Sequence, residues 1–498
     1  AAYLVDLLSW LDGHDLGRKT AFERLSERRP DIQRIELSCD NTNTVMPYLD
    51  LVTEILEVRV LNSDGSGRAA HVPKATTATS PELLANPEYL KSQTYDGHLT
   101  KAVFPDTLPF DLWGELGRVY FEHLGVRRSD LMEALRRHAM PRHATIDAER
   151  LQFSMAQWRI LTGAASHDVW EYWGYESATP DGAEYKIDLA VVSNFLSRAH
   201  IDYEQLLDLL HSRFVSSGGI RITGADCNTD EMTIVPLTDE VLGHMQRFLR
   251  LWRNRGWSML DLDKTLQSLN ITTLDADGLG RLADLDRVQA LTRAPLLDLL
   301  SWWAQIDTFE DRPEKDVPVK SLYDRVYLNR AVDAAAEEPD FPLALNSART
   351  ELADEAVKWD DVRSILQAAL VIDAEALTLL LDETIDGLPN DERVVTGTTA
   401  SLDGLSALYR HVSLARSLKL TVGELLGLLR LVGIDPFNVT TTDVTLAFVE
   451  AVGAIRASEF SFLELHYLLE HDPLAETSVG VTDEAIGQTL VEMRDGLA

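Results

Sequence analysis

A ten-residue phrase recurs eight times along this chain, with variation, and it commits most of the chain to helix. The phrase opens on an apolar residue, usually followed by Ser, Thr or Asp and two free positions. An acidic or amide residue often comes next, then Leu and a further apolar pair. Clear copies are WSMLDLDKTL from Trp257, LTVGELLGLL from Leu420, FSFLELHYLL from Phe460 and IDYEQLLDLL from Ile201. Looser copies start at Val126, Phe153, Leu291 and Ile372. Each position has a physical job at a helix start. In the copy at Leu420, the Thr421 hydroxyl is placed to accept from an orphan first-turn N–H. Glu424, three residues on, can return to the N–H of Thr421 and close a capping box. Leu420 and Leu425 sit where a hydrophobic staple forms, and Leu425, Leu428 and Leu429 share one face. Ser461/Glu464 and Ser258/Asp261 repeat the pattern, with the shorter Asp predicting a weaker box. Removing such a cap costs roughly 1 kcal/mol, so the phrase speaks of structure rather than chemistry.

Gly125 and Gly256 directly precede two copies, where a left-handed residue would close the previous helix. The unit is therefore helix, tight turn, staple, cap, helix: an αα-hairpin. The starts are too unevenly spaced for a regular repeat array. The expected fold is mainly α, an irregular stack of capped αα-hairpins with a small β-hairpin insert. Residues 1–61 read as an N-terminal helical segment with a short strand, and the Gly/Ser/Thr-rich residues 62–80 as a mobile linker. A helical block follows over 81–215. The alternating, Gly- and Asn-punctuated residues 216–238 read as the β-like insert. A second helical block covers 239–307, and helical hairpins with loops fill 308–498.

The net charge of −34 argues against nucleic acid, whose phosphates need a basic footprint. The acidity reads as solubility and mutual repulsion; the sharper alternative is an assembly whose contacts change when carboxylates protonate. Arginine outnumbers lysine thirty-six to ten, a bias that genome composition could account for. No run of eighteen apolar residues encodes a transmembrane helix. The start, AAYLVDLLSWLDG, has neither Met nor a basic signal region and reads as an amphipathic helix, so the chain is expected to begin inside a larger polypeptide. Cys39 and Cys227 lie far apart, outside any CxxC pair, and read as small buried hydrophobes.

No phosphate-binding loop, dinucleotide fingerprint, nucleophile elbow or zinc motif is present, and no catalytic, cofactor-binding or metal-binding residue is assigned. His138 and His143 have ligand-like spacing, but Arg137 and Arg142 beside them disfavour a cation, and surface histidines are the plainer reading. Trp158, Trp170, Tyr172, Trp173 and Tyr175 could form a sugar platform; in a helical context, core packing or a subunit contact is expected instead. Asp382-Glu383 and Asp391-Glu392 read as solvated loop charge. The chain is read as non-enzymatic and without cofactors.

Several phrases are more specific than helical grammar. ERRPDIQRIELSCDNTNTVMPYLDLVTEIL (27–56), NPEYLKSQTYDGHLTKAVFPDTLPFDLWGELGRVYFEHLGV (86–126) and RFLRLWRNRGWSMLDLDKTL (247–266) closely resemble the A subunits of insecticidal toxin complexes, the Tc toxins. APLLDLLSWWAQIDT from Ala294 and SLYDRVYLNR from Ser321 fit the same family, so the resemblance covers roughly residues 3–332. It implies a segment of the α-helical shell of a secreted, homopentameric subunit. That shell surrounds a translocation channel, opens on a change of pH and works with B and C subunits to deliver a toxic enzyme into host cells. The long pore-forming helices and a clear block of receptor-binding β-sandwiches are missing from these residues, so pore formation and receptor binding are not carried over. The readings that compete with a shell scaffold are a free-standing helical protein-interaction module and a glycan-acting enzyme.

Overall fold

The computed structural model describes residues 2–15, 17–28, 48–62, 91–136, 144–180, 183–215, 219–224, 228–312, 315, 318–336, 338, 340–382, 394–395, 397–439, 442–458, 460–461, 464–465, 468–469 and 483–497. Most of them are helical, and they fall into two compact units, Ala1–Arg127 and Arg128–Ala498. Cys39, Cys227, His138, His143, Glu383 and Asp391-Glu392 lie outside the described residues, as does most of the 27–56 phrase.

The first unit carries α1 (Ala2–Asp12), α2 (Ala21–Arg28), α3 (Tyr48–Leu61), a π-helical turn (Thr94–Leu99) and α4 (Leu112–His123). Glu57, buried on α3, ties the helix to the π turn. Its carboxylate accepts from Lys91 N–H and the Tyr95 hydroxyl, both at 2.9 Å. In the LPFDL phrase, Asp111 caps α4 by accepting from Gly114 N at 3.1 Å.

The second unit continues with α5 (Arg128–Ala134), α6 (Ala144–Arg150), α7 (Met155–Leu161), α8 (Val169–Tyr172), α9 (Tyr185–Ala190), α10 (Val192–Ala199) and α11 (Tyr203–His211). The expected insert is present as β1 (Arg221–Thr223) and β2 (Thr233–Val235), antiparallel with Ile222 opposite Ile234. It has a local purpose. Met232 and Thr229 carbonyls accept from Val192 and Ser193 N–H, capping α10, which lacks a side-chain cap. Then come α12 (Asp239–Arg255), α13 (Met259–Ser268), α14 (Ala276–Thr292), α15 (Leu296–Leu300), α16 (Leu322–Val326), α17 (Arg363–Leu370), α18 (Ala374–Asp382), α19 (Leu402–Ser417), α20 (Val422–Val432), α21 (Thr442–Ala457) and α22 (Asp483–Leu497). α14 is packed between α6 and α21, and its Leu279, Leu282, Leu285 and Val288 are fully buried.

The repeated phrase behaves as its chemistry dictates. Thr421 and Glu424 form a reciprocal capping box, with N–H···O distances of 3.2 and 2.8 Å. Ser461/Glu464, Asp202/Gln205 and Ser154/Gln157 do the same. Asp261 is indeed too short: it accepts from the Ser258 hydroxyl at 2.8 Å, not from the backbone. At Leu291 the register differs from the sequence reading. Leu291 and Thr292 end α14, Arg293 makes the left-handed turn, and the next helix begins only after Pro295.

The first residue of the phrase does more than staple. In six copies and turns its N–H reaches back five residues, as in Ile201 to Leu196 O, Ile271 to Leu266 O and Leu420 to Ala415 O. The same apolar residue thus closes one helix in a Schellman motif and opens the next. The left-handed residue just before it is Gly at 125 and 256, but Gln152, His200, Asn270, Val371 and Lys419 elsewhere. Val371 is the most strained of these, β-branched at φ 53° and largely exposed. Val371→Gly is therefore expected to raise stability by about 0.5–1 kcal/mol, the relieved strain exceeding the entropy that glycine adds to the unfolded chain. A lower urea midpoint for the variant would contradict this.

A second device was not legible in the phrase. Arginines from other helices donate to the carbonyls left bare at these corners: Arg253 to His200 O (3.1 Å), Arg281 to Leu269 O (2.6 Å), Arg416 to Leu370 O (2.8 Å) and Arg456 to Lys419 O (3.3 Å). The guanidinium fork suits paired carbonyls in a way an ammonium does not, which gives the arginine excess a structural use.

Glycine is also used for closeness. A Cβ on Gly404, in the first turn of α19, would lie 2.7 and 2.8 Å from carbons of the Trp359 ring. Gly404→Ala gains about 1 kcal/mol of helix propensity but overpacks a rigid indole, at a cost of about 1–3 kcal/mol. The expected outcome is a net loss of up to about 2 kcal/mol in chemical denaturation, and a stabilised variant would refute the contact.

Candidate functional site

The aromatic series singled out in the sequence faces inward. Trp158, Trp173 and Tyr175 are buried, and Trp170 and Tyr172 are half-buried against the same core. Tyr175 is further committed: its hydroxyl donates to Asp188 at 2.6 Å and the Arg198 guanidinium lies 3.6 Å from its ring centre. Burial, reinforced by that carboxylate, raises the phenol above its ordinary range. No sugar platform is presented by these rings. Among the described residues no group of His, Cys, Asp and Glu is arranged to hold a metal ion, and no helix is long and apolar enough to cross a membrane.

The polar side chains that the fold does bring together form a joint. The SWWAQIDT phrase leaves α15 as a turn and enters the helices that follow it by about a hundred residues. Trp302 Nε1 donates to Ser413 Oγ and Trp303 Nε1 to Thr445 Oγ1, each at 2.8 Å. Ile306 N–H donates to Ser406 Oγ at 3.0 Å, Arg410 to Ala304 O at 3.1 Å, and the Tyr409 hydroxyl to Asp298 at 2.9 Å. Each polar group sits where burial without a partner would cost about 1–3 kcal/mol, so the turn has one good seating.

Beyond the turn, Asp307, Asp311, Arg312, Lys315 and Asp324 are held by charge. Lys264, 2% exposed, pairs with Asp307 at 2.6 Å. Arg312, 5% exposed, bridges Asp208 at 2.7 Å and Glu204 at 2.6 Å on α11. Lys315 joins Asp208 at 3.0 Å and Asp311 at 2.9 Å, while Arg349 reaches Glu310 at 2.9 Å and Asp324. Burial alone would raise Asp311, but hydrogen bonds from Lys315 and from the Val319 and Arg312 N–H groups outweigh it and hold the carboxyl below its usual range. Burial likewise pushes Arg312 and Lys315 down, and their carboxylate partners more than restore them. Asp311 therefore contributes stability that is present above the ordinary carboxylate pKa and is lost only as pH falls below it.

His411 behaves differently. It is buried in α19, its Nδ1 is 2.8 Å from Ala407 O, and its ring centre is 4.5 Å from that of Phe437. Burial lowers its pKa from 6.5 to about 4, with the Ala407 carbonyl opposing and Arg410 reinforcing the shift. Between those values the unfolded chain binds the proton that the folded one refuses. The stability from neutral His411 is complete above pH 6.5 and declines as pH falls towards 4, by about 2 kcal/mol at pH 5. His411→Gln should flatten this part of the pH profile. Parallel urea titrations at pH 7 and pH 5 would reject the assignment if both proteins lost the same amount.

No protein-family model and no curated protein matches the chain. Solved structures do. The cryo-EM structure of Morganella morganii TcdA4 aligns over 99% of this chain with a TM-score of 0.60 at 13% identity. The fold is Tc-toxin-like. The chain spans 25% of the TcdA4 chain. Yersinia pseudotuberculosis TcaA-TcaB aligns over 98% of this chain and 20% of its own, at 14% identity, with a TM-score of 0.42 that is too low to bear on the fold. The Tc-like fold is thus the mainly helical, capped-hairpin architecture expected from the phrase, with its small two-stranded insert.

Proposed function

We propose that this chain is a non-enzymatic shell segment of a Tc-toxin-like A subunit. In that role it encases a translocation channel, packs neighbouring protomers and holds the machine shut. The likeness to TcdA4 over nearly the whole chain is the observation that carries the reading. The capped corners, arginine-bridged carbonyls and polar-bolted joint support it, because they suit a wall built to stay closed. The complete subunit would then be a secreted homopentamer that works with B- and C-type toxin subunits at a host cell surface.

Imaging the complete subunit tests this. Fivefold rings with these helices in the outer wall are expected; a monodisperse monomer at micromolar concentration, or these helices lining the channel, would overturn it. A free-standing protein-interaction module remains the second reading. It is favoured by the face of α22, where Ile486, Leu490, Met493 and Leu497 are exposed at the spacing of a helical seam. Hydrogen exchange on the complete subunit separates the two. Protection of residues 483–497 within the ring supports the wall; exchange as fast as in the isolated chain supports the module.

A further inference from the structure

We draw no further inference here: the strongest candidate, the uncovered apolar face of α22 formed by Ile486, Leu490, Met493 and Leu497, carries nothing because nothing in the structure shows what covers it.

Discussion

Trp302→Ala is expected to destabilise the second unit by about 3–5 kcal/mol, the range for deleting a large buried aromatic side chain. Trp302 is fully buried, its ring centre 6.3 Å from that of Trp303, and its indole N–H is satisfied by Ser413. Alanine would remove the ring from a packed interior and leave a cavity between the turn and α19. Trp302→Phe separates packing from hydrogen bonding. It keeps most of the apolar volume and loses only the N–H, and Ser413 still donates to Arg410 O at 3.2 Å. A loss of about 1 kcal/mol is therefore expected for Phe, plus a smaller packing defect. Urea denaturation followed by circular dichroism gives both numbers. A Trp302→Ala loss below about 1 kcal/mol would show that the turn is not seated as described.

Lys264→Met should cost about 3 kcal/mol, because it strands the Asp307 carboxylate in a place with little access to water. Asp307 is 10% exposed on its side chain and has two other donors, Leu322 N–H and Phe309 N–H, both at 3.1 Å. Those bonds place the expected loss at the low end of the range for a broken buried pair. They also suggest the rescue. Asp307→Asn keeps an acceptor for the backbone while removing the charge, so Lys264→Met/Asp307→Asn should recover at least half of the loss. The double-mutant cycle is the measurement, and additive losses would mean that the two groups do not act as a pair.

How much of this was legible beforehand depended on the range of the interaction. Thr421, Glu424, Ser461 and Glu464 act within four residues, so their caps were readable from spacing. Gly125 and Gly256 betrayed their turns because glycine is the usual left-handed residue. Val371 and Lys419 gave no such signal, since neither residue type favours the left-handed conformation that the bonds from Ile372 and Leu420 N–H impose there. The aromatic series could be read as core or as platform from the sequence, and only burial decided for the core. The joint was invisible: Trp302 and Ser413 are 111 residues apart, and Trp303 and Thr445 are 142 apart. A tryptophan pair announces a large buried surface but not which hydroxyl will meet each N–H.

The sequence by itself determined most of the capped helix starts, the glycine corners at Gly125 and Gly256 and that the chain would be mainly α, because caps, staples and Schellman bonds are local. The tertiary structure decided which corners each arginine covers, where the SWWAQIDT turn is seated and that His411 is kept neutral. Those outcomes depend on desolvation and on partners brought together from distant parts of the chain, and neither is written in local spacing.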